Sequence, residues 1–159
     1  MASLYPFFEW CDQTAIGVWI RDGSIWAFPL IETFHILALT LLFGTILIVD
    51  LRLLGMGMRR QSASMLVRQL SPWMYGALAL ILFTGILLFL SEALRCYGND
   101  AFRFKMVCLF LALTFHFATF HRAAADDSRM SPQLRKAIAL VSMTLWLCVG
   151  IGGRAIGFV

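Results

Sequence analysis

IWAFPLIETFHILALTLLFGTILIV, residues 25–49, carries only two ionisable side chains, Glu32 and His35. Crossing the hydrocarbon core of a bilayer, which is about 30 Å thick, takes roughly 20 apolar residues of α-helix. This stretch is long enough for that and is almost uniformly apolar. It therefore predicts a transmembrane helix, and the rest of the chain is interpreted around it.

Three more long apolar runs follow, at residues 73–90, 104–120 and 137–153. Hydrophobic residues make up 60% of the chain and charged residues 14%, against roughly 45–50% and about 25% in soluble domains. The loops between the runs are short, which favours antiparallel neighbours. We therefore expect an all-α integral membrane protein, a four-helix up-down bundle in one membrane domain of residues 1–159.

The predicted helix boundaries come from capping patterns. The spans are expected at about residues 25–50, 72–94, 102–122 and 134–156. Ser71-Pro72 and Ser131-Pro132 each place a capping hydroxyl before a proline at the first helical position. Ser24 and Asp100 are the expected caps of the first and third spans.

The leading residues, 1–23, are too polar to span a bilayer but are rich in aromatic side chains. We expect a short amphipathic helix over residues 4–20 that lies in the outer membrane interface, where Trp and Tyr concentrate. The alternative is an ordinary surface helix packed on the mouth of the bundle. No basic region typical of a cleavable signal peptide precedes it.

Basic residues are unevenly distributed between the loops. Eight of the 13 Lys and Arg residues lie in the segments 50–72 and 121–136, four in each. The positive-inside rule places these segments in the cytoplasm, so that both termini are periplasmic in a bacterial inner membrane. No basic stripe with interleaved aromatic residues is present, and we therefore exclude a nucleic-acid partner despite the net charge of +4.

Two of the three histidines, His35 and His116, lie at mid-membrane depth on different predicted helices, and His121 lies near the cytoplasmic end. At 1.5 Å per residue, His35 and His116 differ in height by roughly 7 Å. Two imidazoles in this setting are typical axial ligands of haem b, and any metal site would use them, with His121 as a third candidate. The alternatives are a structural hydrogen-bond network and a proton or ion pathway. For His121 alone, an interfacial snorkelling role is favoured.

A haem would also need basic partners for its propionates, and Arg154 and Arg21 are the candidates. Glu32 lies one turn before His35 and is expected to orient that imidazole as a hydrogen-bond acceptor. Its alternative partners are Arg154 and Lys105, which share its outer half.

Four sulfur-bearing residues are candidates for other chemistry. Met56 and Met58 resemble a thioether pair for copper, although membrane-edge packing is the favoured explanation of two methionines. Cys11 and Cys96 fall on the same predicted side of the membrane, where a disulfide between them is a hypothesis.

Asp50 and Arg52 close the first span. We interpret them as an interfacial ion pair that anchors the helix end, with Gly55 as its terminator. The alternative is a docking surface for a partner.

Four segments of the sequence resemble a known protein family. They are FPLIETFH at 28–35, DLRLLG at 50–55, Thr84-Gly85 and FRFK at 102–105. The family that they resemble is a widespread one of small four-helix bacterial inner-membrane proteins of unknown function. The resemblance singles out Glu32, His35, Asp50, Arg52 and Lys105, and it implies no catalytic activity. The in-membrane histidines are similar in design to those of four-helix b-type cytochromes.

Three functions follow as hypotheses. The leading one is a small haem-binding membrane protein, suited to electron transfer with a redox partner or a quinone. The second is a non-enzymatic structural or assembly subunit that forms a homo-oligomer in the lipid bilayer. The third is a proton or metal-ion conduit through Glu32 and the histidines.

Overall fold

The computed structural model describes residues 4–57, 61–125 and 130–158, and of residues 120–125 it describes the backbone alone. Every regular element in these ranges is helical. The elements are α1 (Tyr5–Asp12), α2 (Ala15–Val18), a π-helical turn (Trp19–Gly23), α3 (Ala27–Leu53), α4 (Ala63–Ser91), α5 (Ala93–Tyr97), α6 (Asp100–Ala125), α7 (Pro132–Ala155) and a 3-10 turn (Ile156–Phe158).

Four of these helices, α3, α4, α6 and α7, are long and apolar enough to cross a membrane. Between 11% and 33% of the most apolar window of each helix is buried within the chain. Most of its apolar surface therefore faces outward, which water would not tolerate over so large an area but lipid does. The predicted all-α class with four membrane-length helices and a short N-terminal helix is confirmed.

The structure confirms the predicted cap of α7 and contradicts the predicted start of α4. Ser131 caps α7, since its Oγ accepts a hydrogen bond from the Leu134 backbone N–H at 3.3 Å. The prediction that α4 starts at Ser71-Pro72 is wrong, because α4 begins at Ala63 and Pro72 lies inside it. The hydroxyl of Ser62 provides the cap instead, accepting from the Met65 N–H at 3.2 Å.

The other helix ends agree with the sequence within three residues. Ser24 precedes α3, and its Oγ accepts from the backbone N–H of Trp26 at 3.3 Å. Asp100 is the first residue of α6. The second span, predicted at 72–94, is corrected to Ala63–Ser91, and the residues after it form the separate helix α5.

The chain divides into two compact units: residues 1–40 with 76–100, and residues 41–75 with 101–159. In the first unit, α1 packs on α5 and on the end of α4 through aromatic side chains. The ring of Phe8 lies 5.5 Å from that of Phe89 and 5.2 Å from that of Tyr97. This packing supports the surface-helix alternative for the leading segment.

The expected single helix over residues 4–20 is interrupted at Thr14. This residue adopts an extended conformation, and its Oγ1 caps α2 by accepting from the Gly17 N–H at 3.2 Å. Gly17 then lies against the end of α4, where a Cβ would come within 2.3 Å of the Leu90 carbonyl oxygen. Only glycine permits this approach.

The second unit has a small core where the end of α3, the start of α4 and the start of α7 meet. Its fully buried members are Leu53, Ala63 and Ala139. Further along α7, a Cβ on Gly152 would meet the Lys105 Cβ at 3.1 Å. This glycine thus serves close packing of α7 on α6 within one chain.

Candidate functional site

A hydrogen bond between two membrane helices holds His35 in the first unit. The Nδ1 atom of His35 on α3 lies 2.8 Å from the Oγ1 atom of Thr84 on α4. His35 is half-buried and Thr84 is buried. At this depth, few other groups can satisfy an imidazole nitrogen.

The hydroxyl of Thr84 has one proton and two acceptors within reach. The Leu80 carbonyl oxygen lies 2.7 Å from Oγ1, and Nδ1 of His35 lies 2.8 Å from it. When the proton goes to Leu80, this oxygen can only accept from His35. A neutral imidazole then has its proton on Nδ1 and its lone pair on Nε2.

The residue after Thr84 brings α4 close to the imidazole. A Cβ on Gly85 would lie 3.3 Å from the Cε1 atom of His35. Ala38, one turn after His35, is buried with 3% of its surface exposed. The ring thus lies close to the backbone of α4 at Gly85 and is hydrogen-bonded to Thr84 on the same helix.

Glu32 does not orient His35 as predicted. Its side chain is exposed and has no hydrogen bond or ion pair to another described residue. Thr84 takes the role of hydrogen-bonding partner instead. The alternative partners of Glu32, Arg154 and Lys105, belong to the second unit.

Arg21, a predicted propionate partner, is engaged within the first unit. Its guanidinium donates to Oδ2 of Asp12 at 3.0 Å and to the Ser91 carbonyl oxygen at 3.1 Å. The hydrogen bond to Asp12, and after it the one to Asp22, raises the pKa of the arginine. Since Asp12 also accepts from the Leu94 N–H at 3.3 Å, the pair joins α1, α4 and α5.

Arg154, the other predicted propionate partner, lies at the end of α7. Its guanidinium carbon is 4.5 Å from the centre of the Phe158 ring, a cation–π contact within the second unit. The arginine itself is exposed. It is accessible to an anionic group.

His116 is also part of the second unit. Its ring makes edge contacts with Phe117 and Trp146, with centroids 5.8 Å and 6.4 Å apart. It lines a small cavity together with Asp50 and Ser142. The pairing of His35 with His116 on one haem stays a prediction. The side chain of His121 lies outside the described residues.

The predicted interfacial ion pair of Asp50 and Arg52 is wrong. Asp50 is buried with 4% of its surface exposed, and its Oδ2 atom has no hydrogen-bond partner among the described residues. The Nε atom of Arg52 donates to the Gln61 carbonyl oxygen at 2.6 Å instead. Asp50 is therefore a buried carboxyl group within the membrane-length part of α3.

The two cysteine candidates do not form the predicted disulfide. Cys11 and Cys96 are both buried and are not joined by a disulfide. Met56 is exposed, and Met58 is not described. Within the described ranges, no group of three or more His, Cys, Asp or Glu side chains is placed to hold a metal ion.

The sequence did not single out two hydroxyl residues that contact candidate site residues. Thr84 is the hydrogen-bonding partner of His35, and Ser142 donates a hydrogen bond to the Asp50 carboxyl group. The available signal was a hydroxyl in the middle of an apolar run. For Thr84, the resemblance of Thr84-Gly85 to the family pattern pointed to the right place.

Comparison with known proteins gives a family and no function. No curated protein and no solved structure matches the chain. A family model described as "Family of unknown function (DUF6644)" matches residues 7–159. The chain therefore belongs to the DUF6644 family, whose function is unknown.

Proposed function

We propose that this chain is a small haem-binding membrane protein in which Nε2 of His35 supplies an axial bond to the iron. The observation that carries the proposal is the hydrogen bond between His35 Nδ1 and Thr84 Oγ1, in which Nδ1 donates when the threonine proton goes to Leu80. Metal-binding histidines almost always donate their second ring N–H to such an acceptor, which fixes the ring and raises the basicity of the ligating nitrogen.

The scarcity of other ligands favours haem over a bare metal ion. Structural zinc needs four protein ligands, and copper sites commonly use three or more. No such group occurs among the described residues. A porphyrin brings four nitrogen ligands of its own, so one or two histidines suffice to hold its iron. Copper is therefore the weaker proposal.

Large apolar side chains lie exposed on α3 near the level of His35. On α3, the large side chains of Phe34 and Leu37 are exposed, at 54% and 60% of their surface. They offer apolar surface to lipid or to a flat ligand. Arg154 remains a candidate for a propionate, since it is exposed, whereas Arg21 is committed to Asp12 and Ser91.

The second axial position of the iron determines which function the haem would have. With His116 in that position the iron would be six-coordinate and suited to electron transfer, with a quinone or a redox protein as partner. With the position open, the reduced protein would bind carbon monoxide. A carbon monoxide difference spectrum of the reduced protein separates these two cases.

The primary test is an absorption spectrum of protein purified in detergent from haem-replete cells. We expect a Soret band in the wild type, its loss in His35→Ala and its retention in His121→Ala, the matched histidine control. In His116→Ala, a shift from a low-spin to a high-spin spectrum identifies the second ligand. A colourless wild type, or a Soret band unchanged in His35→Ala, would overturn the proposal.

The proposed setting is a bacterial inner membrane, with both termini periplasmic. The support is the clustering of eight basic residues in the segments 50–72 and 121–136. Reporter fusions that are active only in the periplasm should be active at either terminus and inactive in these two segments. The reverse pattern would invert the orientation without affecting the haem proposal.

A further inference from the structure

A second polar site lies in the second unit, around a carboxyl group that the haem proposal does not use. It is a cavity of about 30 Å³, to which α3, α4, α6 and α7 all contribute. Its polar lining consists of Asp50, Thr119, Ser142 and His116. The remaining lining is apolar, so these four groups determine what the cavity binds.

The carboxyl group of Asp50 is the reason to expect a ligand. It is 4% exposed, and Oδ2 has no hydrogen-bond partner among the described residues. A carboxylate buried at membrane depth is costly unless a positive species compensates it. No Lys or Arg is among the described residues that line the cavity, and Arg52 donates to Gln61.

The hydroxyl groups around Asp50 present lone pairs. The Oγ1 of Thr119 donates its proton to the Phe115 carbonyl oxygen at 2.8 Å, which leaves its lone pairs available. Ser142, 7% exposed, donates its proton to the Asp50 carboxyl group and likewise keeps lone pairs. Oxygen ligands from α3, α6 and α7 thus share one small space.

The volume of the cavity and the charge of its lining limit which ligands it can bind. A water molecule needs roughly 10–15 Å³ of such volume, so the cavity has room for one or two species of that size and none for a haem. Oxygen ligands favour hard cations. A single carboxylate balances a single positive charge, whereas a divalent ion would leave a net charge in a low-dielectric site.

We propose that this cavity binds a small monovalent cation of the Na⁺ or Li⁺ class, with Asp50 as the charged ligand and the hydroxyls of Thr119 and Ser142 as neutral ligands. The imidazole of His116 borders the site. In its protonated form it would compete with the cation. The proposed ligands are Asp50, Thr119 and Ser142, so the proposal does not depend on ligation of a haem by His35 in the first unit.

The test is the thermal unfolding of the full-length protein in detergent, titrated with NaCl, LiCl or KCl at an ionic strength held constant with choline chloride. A ligand that binds only the folded state raises the midpoint as its concentration exceeds Kd. We expect Na⁺ or Li⁺ to raise the midpoint by about 5 °C or more at saturation, and choline to have no effect. Equal midpoints in all four salts would overturn the proposal.

Point variants test whether the effect of Na⁺ on thermal unfolding arises at Asp50. Asp50→Asn should abolish the dependence on Na⁺, whereas Glu32→Gln, which changes an exposed carboxylate on the same helix, should keep it. Ser142→Ala should weaken it, with Thr144→Ala, an exposed hydroxyl on α7, as the control. Retention of the full Na⁺ response in Asp50→Asn would contradict the assignment.

A direct binding measurement on the wild type tests the proposal even if Asp50→Asn fails to fold. Equilibrium dialysis of the wild type with radioactive sodium should give saturable binding of about one ion per chain that unlabelled LiCl displaces. If no saturable binding is found and the stability depends on pH alone, Asp50 carries a proton and the cation proposal is wrong.

Discussion

The Oγ1 of Thr84 and the Nδ1 of His35 share a hydrogen bond of 2.8 Å between the two membrane helices α4 and α3. When the Thr84 proton is donated to Leu80, this contact sets both the tautomer and the direction of the imidazole. If His35 binds iron, Thr84 is a positioning residue that acts through it.

Replacing Thr84 by Val keeps the shape of the side chain and removes the acceptor. We expect Thr84→Val to fold but to bind haem about 10–100-fold more weakly, the usual cost of losing the partner of a ligating histidine. Haem titration of the apoprotein, followed at the Soret band, measures this. Thr40→Val, an exposed threonine on α3, is the control, and Thr84→Ser should restore binding.

An affinity of Thr84→Val equal to that of the wild type would show that the hydrogen bond has no role in ligation. A loss of folded protein in Thr84→Val, with Thr84→Ser normal, would show that its role is structural. Circular dichroism of each variant separates the two results.

Gly85 tests the packing of the same ring. A Cβ here would lie 3.3 Å from Cε1 of His35, so Gly85→Ala should push the imidazole aside by a few tenths of an ångström. We expect an altered Soret position and weaker haem binding. Gly76→Ala, in the same helix with nothing within 4 Å of the added Cβ, should bind haem normally. Identical spectra for the two variants would argue against a haem on this side of the ring.

We expect Gly17→Ala to lower the stability of the fold rather than the affinity for haem. The Cβ of Gly17→Ala would come within 2.3 Å of the Leu90 carbonyl oxygen, which belongs to the backbone and cannot rotate away. A clash of this kind costs about 1–3 kcal/mol. Thermal unfolding should show it, while Gly98→Ala, with open space around the added methyl group, should unfold like the wild type.

Arg21 and Arg154 offer a direct comparison between a structural and a ligand-binding arginine. Arg21→Gln breaks the hydrogen bonds to Asp12 and Ser91 and should lower the free energy of unfolding by about 1–3 kcal/mol. We expect its haem content to stay normal once folded protein is selected. Arg154→Gln should have the opposite profile, with normal stability and weaker haem binding. If Arg21→Gln instead bound haem weakly and Arg154→Gln were destabilised, Arg21 would be the propionate partner.

The helices were predictable because their apolar runs are long, but the direction of each polar group was not. Glu32 and Asp50 lie 18 residues apart on α3, five turns of an ideal helix, and would be expected on one face. Glu32 is nevertheless exposed and Asp50 is buried. On a helix that is apolar all round, the sequence carries no stripe that marks which part another helix covers.

The start of α4 shows a second limit. Ser71-Pro72 has the composition of a helix start, yet the chain is already helical from Ala63, eight residues before Ser71. A proline within a membrane helix leaves one carbonyl without its usual donor, a deficit that neighbouring groups can relieve. The Ser71 hydroxyl donates to the Arg68 carbonyl oxygen at 3.2 Å, the carbonyl that a residue at position 72 would normally satisfy.

The partners of His35 and Asp50 could not be predicted either. Thr84 and Ser142 are single hydroxyls in apolar runs, and most such hydroxyls in this chain bond their own helix, as Thr114 and Thr144 do. Only the pairing of α3 with α4, and of α3 with α7, selects the two that reach another side chain. Those pairings depend on tertiary packing, which helical periodicity does not reveal.

The most direct test of the central claim is chemical rescue of His35→Gly, which removes the imidazole and leaves space for a free one. We predict that the variant, purified in detergent with added haem, has no Soret band of the wild-type form, and that imidazole in the buffer restores it. If His116 fills the second axial position, the same addition should leave the spectrum of the wild type unchanged. A wild-type Soret band in His35→Gly without imidazole would contradict ligation by His35.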